Sequence, residues 1–581
     1  MRAFSGLLTS HGTFDPLQLP PQNFLYCDIF FSGYLADRAN LSHKLSLEPA
    51  QVTDAELVAH AFHKWGRDLQ SHVLGQYAAV IWDTRARAAL LTHDSFGLSP
   101  LFYSLRKNGL AFASNVVDLL DAETANSLDA EYLADFLALG FITSHRTPFT
   151  SISRLLPGES LWWSNGTLQK LHAETLTNIP ETRCRDNAEY EEQFNSLLRS
   201  AVLSALHPSG ATWVSLSGGL DSSTIASVAA NSGAPGISAY SVICPKWPEA
   251  DERPWMQAVV DRYELPWHTV NIEEILPFTM LPGKFHGEPT VAVIDEKRIR
   301  LQEELLTSKG ARVLLSGHGG DAVLCSSQDS MPTHFADTLF DGKPWAALSS
   351  VKAWKNKSRE KRSYLYWILR TLVQPSLDHI CKRQVLRTDP HAPLSPWLES
   401  SYAAHMRLRH RGRRQISTAC RQPGRQSLSD SIWMLGIALS AGQRRHAQFD
   451  LRAPLLYRPL VEFMCSVPWE QKLQPRCDRY LQRRALKGTL PESVRRRAGK
   501  ASGNPTVVEG LRRSRHWFDY LCENPQLAEL GIVNKDKWRH SILQASVGQT
   551  FDDKLFLATV VLEGWLKQLD QFKKDAYANR R

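Results

Sequence analysis

None of the nine cysteines pairs with another at C-x-x-C spacing. Neither a zinc site nor a disulfide framework is therefore indicated, and a reducing cytoplasm is the expected setting. No apolar run approaches the roughly 20 residues that cross a bilayer, and no basic segment followed by an apolar core opens the chain. No membrane partner is expected. Internal repeats and low-complexity tracts are also missing. Net charge is a moderate +9, gathered in "KNKSREKR" (Lys355–Arg362), "MRLRHRGRR" (Met406–Arg414) and "VRRRAGK" (Val494–Lys500). Such runs form a solvated face, or a docking surface for a nucleotide or an acidic peptide. No recognition motif accompanies them, so nucleic acid is not an expected partner.

What is present describes a large soluble protein. Hydrophobic residues make up 43% and charged residues 22%. A chain of 581 residues exceeds one ordinary core and implies about two to four domains.

The most informative stretch is "TWVSLSGGLDSSTIASVAANSG", Thr212 to Gly233. Trp213, Val214 and Leu216 predict a short buried strand. Ser217-Gly218-Gly219 breaks it with a tight turn that lets backbone approach a ligand. From Ser222 onward Ile225, Ala226, Val228 and Ala229 predict a helix, with Gly233 as its C-terminal cap. Strand, glycine turn and helix start gather free N–H groups and a positive dipole end on one spot. Ser217, Ser222 and Ser223 add hydroxyls, while Asp221 would repel a phosphate unless a divalent cation lay between them. The chemistry suits magnesium-bound polyphosphate; the bland alternative is a serine-rich turn with no ligand. No lysine follows the glycines, so this is not the common P-loop.

The pattern S-G-G-x-D-S-S resembles the pyrophosphate loop of the N-type ATP pyrophosphatases, which split ATP between the α and β phosphates. A second glycine turn ends the apolar run of "ARVLLSGHGGDAVL" (Ala311–Leu324). Open α/β sheets bind ligands at such strand ends, and Asp321 is placed to join Asp221 as a magnesium ligand. "EADERPWMQAVVDRYELPWHTVNI" (Glu249–Ile272) reads as an acidic pair, a helix and a strand, with Asp251-Glu252 either functional or a helix cap.

Residues 1 to about 175 read as an antiparallel β domain with a few helices, from runs such as "YAAVIWD" and "GLAFAS". This part resembles the glutaminase domain of the asparagine synthetase family at Gly75, Trp82-Asp83, Asp94, Phe96-Gly97, Pro100-Leu101, Tyr103 and Phe112-Ala113-Ser114. "RLLPGESLWW" (Arg154–Trp163) is similar to its closing Pro-Gly strand, and "TNIPETRCRDNAEYEEQF" (Thr177–Phe194) reads as a linker entering a helix. The chemistry of that domain needs an N-terminal cysteine whose own amine is the base. Arg2 stands there, the first cysteine is Cys27, and "FSGYLADRANL" (Phe31–Leu41) replaces the family's Asn-Gly-Glu motif. Loss of ammonia production is the expectation.

Further on, "RAPLLYRPLVEFMCSVPW" (Arg452–Trp469) and "RYLQRRALKGTLPESVRRRAGKASG" (Arg479–Gly503) resemble the helical C-terminal part of the same family, with Tyr457 where an aspartate is usual. The resemblance implies two domains. Residues 1–178 would be an α+β, Ntn-hydrolase-like β-sandwich, a degenerate glutaminase. Residues 179–581 would be an α/β, adenine-nucleotide α-hydrolase-like synthetase domain with a helical C-terminal part. It assigns Ser215, Ser217, Gly218, Gly219, Asp221, Ser222, Ser316, Gly317 and Gly319 to ATP and pyrophosphate, Asp221 and Asp321 to Mg²⁺, and Arg479 and Lys500 to charge neutralisation.

"SGHGGD" is most similar to lasso peptide cyclases, relatives of the β-lactam synthetases. His318 would be a general base for the attacking amine, or a turn residue that hydrogen-bonds the adenylate. That resemblance implies a precursor core peptide as substrate, with a leader peptidase and a leader-binding protein as pathway partners. The rival expectations are an ammonia-dependent amide synthetase and a non-catalytic scaffold.

Overall fold

The computed structural model describes residues 3–9, 14–16, 21–172, 176, 179–283, 285–325, 331–357, 362–381, 383–385, 395–411, 413–415, 422–441, 448–497, 499, 504–549 and 553–578. The N-terminal part carries eleven strands among the described residues: β1 (Ser5–Thr9), β2 (Phe14–Pro16), β3 (Gln22–Phe24), β4 (Cys27–Leu35), β5 (Gly75–Asp83), β6 (Ala88–His93), β7 (Phe102–Arg106), β8 (Gly109–Ala113), β9 (Ser153–Arg154), β10 (Glu159–Ser164) and β11 (Thr167–His172). They form two antiparallel sheets, ordered β2-β1-β8-β7-β9 and β11-β10-β6-β5-β4-β3.

Alternation along β5 builds the layers. Ala78, Val80 and Trp82 point into a core shared with Phe112 and Leu110 of the other sheet. Tyr77, Ala79 and Ile81 point the opposite way, onto Leu57, Val58 and Ala61 of the helix Asp54–Trp65. A strand has period two, so one run of apolar residues serves both faces only when both are covered. The outer face of the five-stranded sheet, with Ala111 and Ala113, packs in one cluster with Tyr132, Phe136 and Trp565.

The second part is built on a parallel sheet of β12 (Thr212–Ser215), β13 (Ile237–Ile243), β14 (Trp267–Asn271), β15 (Val313–Leu315) and β16 (Asp450–Arg452), ordered β14-β13-β12-β15-β16. Val214 and Leu216 face a core with Leu198, Ile225 and Val259 from three helices. Trp213 and Leu314 face the other way, onto Leu306 and Phe449. The chain lays β13 and β14 on one side of β12 and then returns to lay β15 on its other side. That return is a topological switch point, where open sheets leave a crevice at the carboxyl ends of their strands.

Local boundaries differ slightly from the sequence reading. The helix after the first glycine turn spans Leu220–Ala230, and its cap is Asn231 rather than Gly233. Gly233 instead holds a φ of +75° in the turn beyond. Two arginines of the basic runs turn inward: Arg411 pairs with Glu131 at 2.9 Å and Asp135 at 2.7 Å, and Arg497 is described below.

Candidate active site

Both glycine turns leave the sheet at the same level, because Val214 of β12 pairs with Leu315 of β15. They touch. A Cβ on Gly317 would meet the Ser222 amide at 3.0 Å, and one on Gly320 would collide with the Asp221 carboxyl. Glycine at these positions is what allows two strand ends to share one site. Within the first turn Ser222 Oγ accepts from Ser217 N–H at 3.1 Å, lies 2.9 Å from Ser217 Oγ and donates to the Gly219 carbonyl at 3.2 Å. These bonds hold the turn at the start of the helix.

A cavity of about 1160 Å³ opens over the turns. Ser215, Ser217, Gly219, Asp221, Ser222, Ser316, Gly317, His318, Gly319 and Asp321 all line it. Gly218 does not; its carbonyl accepts from Arg497 Nη1 at 3.0 Å. Lys500 lies outside the described residues.

Arg479 is the other cation expected to neutralise phosphate charge. It is only 3% exposed, sits behind the wall, and pairs with Asp221 at 2.9 Å and with Asp321. Its guanidinium thus joins the two carboxylates from below. Asp221 is buried, whereas the Asp321 side chain is 59% exposed. Two carboxylates that converge on one cation, amid hydroxyl and carbonyl oxygens, form a donor set that fits magnesium. Asp221 and Asp321 would hold the ion and the first turn the phosphates; bound, the ion would neutralise phosphate charge.

His318 faces the cavity, and its Nδ1 pairs with Ser316 Oγ. Desolvation by burial lowers its pKa, which favours the neutral ring. In the tautomer whose Nδ1–H donates to Ser316 Oγ, Nε2 keeps its lone pair for a proton. The acidic pair has split roles. Asp251 accepts from Arg253 N–H at 3.1 Å and from its guanidinium, a capping role. Glu252 lines the cavity and pairs with Arg497.

Residues 193–567 match the asparagine synthase family. The chain belongs to that family. Residues 24–173 match a glutamine amidotransferase domain. Asparagine synthetase [glutamine-hydrolyzing] 3 of Bacillus subtilis is 23% identical over 503 residues, which is 80% of this chain and 74% of that protein. A putative asparagine synthetase [glutamine-hydrolyzing] 2 of Methanocaldococcus jannaschii is 24% identical over 314 residues, 51% of this chain and 58% of that one. Amidase chyE of Penicillium rubens is 24% identical over 311 residues, 50% of this chain and 46% of that one. The asparagine synthase family member is an ATP-dependent carbon–nitrogen ligase that uses ATP with Mg²⁺.

Sequence reasoning missed the far half of the cavity. Tyr132, Phe136, Leu139 and Ile142 of the N-terminal part line it, together with Leu557 and Val561 of the C-terminal helix Asp553–Ala578. Arg154 lines it as well, paired in the interior with Glu288, to which Tyr132 Oη donates at 3.5 Å. Tyr132, Phe136 and Leu139 recur at helical spacing within Ala130–Leu139. That periodicity marks an apolar face, but nothing local says that the face borders a cleft. Among the described residues, no helix is long and apolar enough to cross a membrane.

Proposed function

We propose that this ligase activates an Asp or Glu side chain of a leaderless precursor peptide and closes a macrolactam with the peptide's own N-terminal amine, as lasso peptide cyclases do. The two sheets are then an Ntn-hydrolase-like domain without its nucleophile, and the parallel sheet an adenine-nucleotide α-hydrolase-like fold. The observation that carries the reading is the cavity. Its volume of about 1160 Å³ exceeds the roughly 300–1,000 Å³ of an ordinary ligand pocket, and Phe136, Leu139, Ile142, Leu557 and Val561 give it an apolar wall beside the charged Arg154, Arg298 and Glu303. A free aspartate has no apolar surface to bury there; a folded-back peptide has.

In this reading a carboxylate oxygen attacks the α-phosphorus of ATP, and the bond to the β-phosphate oxygen breaks with loss of pyrophosphate. The amine then attacks the acyl carbon, AMP leaves with the electron pair of the broken C–O bond, and Nε2 of His318 takes the amine proton. The apolar walls exclude water, which would otherwise hydrolyse the adenylate. Holding both ends of one peptide in a single cavity makes the second step unimolecular. The core peptide is the substrate, and a leader peptidase with a leader-binding protein supplies it.

The test incubates the enzyme with ATP, Mg²⁺ and either a leaderless core peptide encoded beside its gene or free aspartate with ammonia. AMP release with the peptide, and a product lighter by one water, are expected. AMP release with aspartate and ammonia alone would replace the proposal with an ammonia-dependent amide synthetase, and no AMP with either would favour a scaffold.

A further inference from the structure

Arg497 packs, partly buried, against three partners that no sequence pattern connects. Its guanidinium donates to the Gly218 carbonyl at 3.0 Å, pairs with Glu252 and stacks on the Trp255 ring with 3.9 Å to the centroid. Glu252 and Trp255 belong to the start of the helix Arg253–Tyr263, whereas Gly218 lies in the first glycine turn. Gly218 has a φ of +76°, and a Cβ there would stand 2.9 Å from the Glu252 carbonyl oxygen. The turn is therefore pressed onto the helix start and tied to it by one side chain.

The consequence follows from peptide geometry. The Gly218 carbonyl and the Gly219 N–H share one rigid trans plane and point in opposite directions. A carbonyl held toward Arg497 aims the Gly219 N–H the other way, where it donates to Ser217 Oγ at 3.4 Å. Both Ser217 and Gly219 line the cavity. The plane lies between two glycines, neither of which has a Cβ to oppose its rotation. Inside the turn the plane is held by the long Gly219 N–H bond to Ser217 Oγ, and Arg497 holds its carbonyl side at the shorter distance.

We propose that Arg497 is a positioning residue that latches the Gly218–Gly219 peptide plane, so that the Gly219 N–H is preset to donate to the pyrophosphate end of ATP. A donor aligned before the ligand arrives costs no reorganisation when negative charge reaches it. The inference rests on ATP use alone and not on the acceptor proposed above, because equilibrium binding of nucleotide needs no acceptor.

The experiment measures dissociation constants of inorganic pyrophosphate, ATP and AMP by calorimetry, in the presence of Mg²⁺, for the full chain and for Arg497→Ala, Arg497→Lys and Glu252→Gln. Thermal melts identify the variants that fold. Pyrophosphate and ATP are expected to weaken about tenfold or more in Arg497→Ala, with AMP unchanged. Arg497→Lys keeps the charge but not the planar fork, and should also weaken pyrophosphate; it answers the question if the alanine variant does not fold. Parallel weakening of all three ligands would make Arg497 merely structural, and unchanged pyrophosphate binding in a folded Arg497→Lys would make its charge alone sufficient. Either result overturns the latch.

Discussion

Arg479 joins Asp221 and Asp321 through one guanidinium, although the two aspartates leave different strands and differ sharply in exposure. The two carboxylates are therefore not equivalent. Asp321→Ala should fold normally and form no AMP, since it removes an exposed oxygen donor. Asp221→Ala should lose AMP formation and also roughly 3–5 kcal/mol of stability, because it breaks a buried pair around Arg479. Near-normal AMP formation in either protein would refute the two-carboxylate assignment. A melt of Asp221→Ala that matched the parent would refute the structural half.

The same triad predicts a metal-dependent melt. Arg479→Gln removes the cation that both aspartates share, so its melting temperature should fall in chelator and rise with Mg²⁺. The rise should exceed that of the parent, as expected for a ligand that binds only the native state. Equal Mg²⁺ shifts in both proteins would separate Arg479 from the metal site.

His318 should act after activation. In His318→Ala, AMP should still form while linear peptide accumulates, as water intercepts the adenylate. Desolvation lowers the His318 pKa, so the base form persists below the ordinary histidine value near about 6.5. The acid limb of the parent's ring-closure rate should therefore lie at lower pH than an ordinary histidine base would give. Mass spectrometry counts the products, and normal ring closure by the variant would exclude His318 as the base.

No glutamate should be released from glutamine above an enzyme-free control. Cys27, the sole cysteine of residues 1–178, is buried in β4. Burial, helped by Asp83, pushes its thiol up to about 11. A thiol so rarely ionised is a poor nucleophile. Glutamate release that survived Cys27→Ala would point to a nucleophile elsewhere in the chain.

Glu563 should make stability fall as pH rises. Its carboxylate accepts the N–H groups of Gln526 and Leu527, each at 2.9 Å, yet burial pushes its pKa up to about 7. Between about 4.5 and about 7 the native state keeps a proton that the unfolded chain has lost. That contribution is complete below pH 4.5, is lost on rising through 7, and amounts to about 3 kcal/mol. Denaturant midpoints at pH 5 and pH 8 should lie closer together in Glu563→Gln than in the parent. An unchanged gap would show that Glu563 does not carry it.

Local chemistry made much of the site legible in advance. Alternating and β-branched residues marked the strands that end at Ser215 and Leu315, and glycine pairs marked the turns after them, because both preferences act within a few residues. The serines and aspartates could therefore be placed on those turns from the chain alone. The neighbourhood of the turns was expected only from the family resemblance and the habit of open sheets, not from local preference. It depends on β12 lying beside β15, a matter of strand order that no local preference encodes. The same limit applies to charge. "VRRRAGK" and "MRLRHRGRR" read as solvated runs, and only packing decided that Arg497 and Arg411 turn inward to carbonyl and carboxylate partners. Arg479 was expected to neutralise phosphate charge, but that it lies against two aspartates followed only from packing, since a buried cation settles where opposite charge converges in three dimensions. Residue types and turn chemistry were properties of the sequence; strand order, burial and the pairing of distant charges belonged to the tertiary structure, because each depends on surfaces that meet only after the chain has folded.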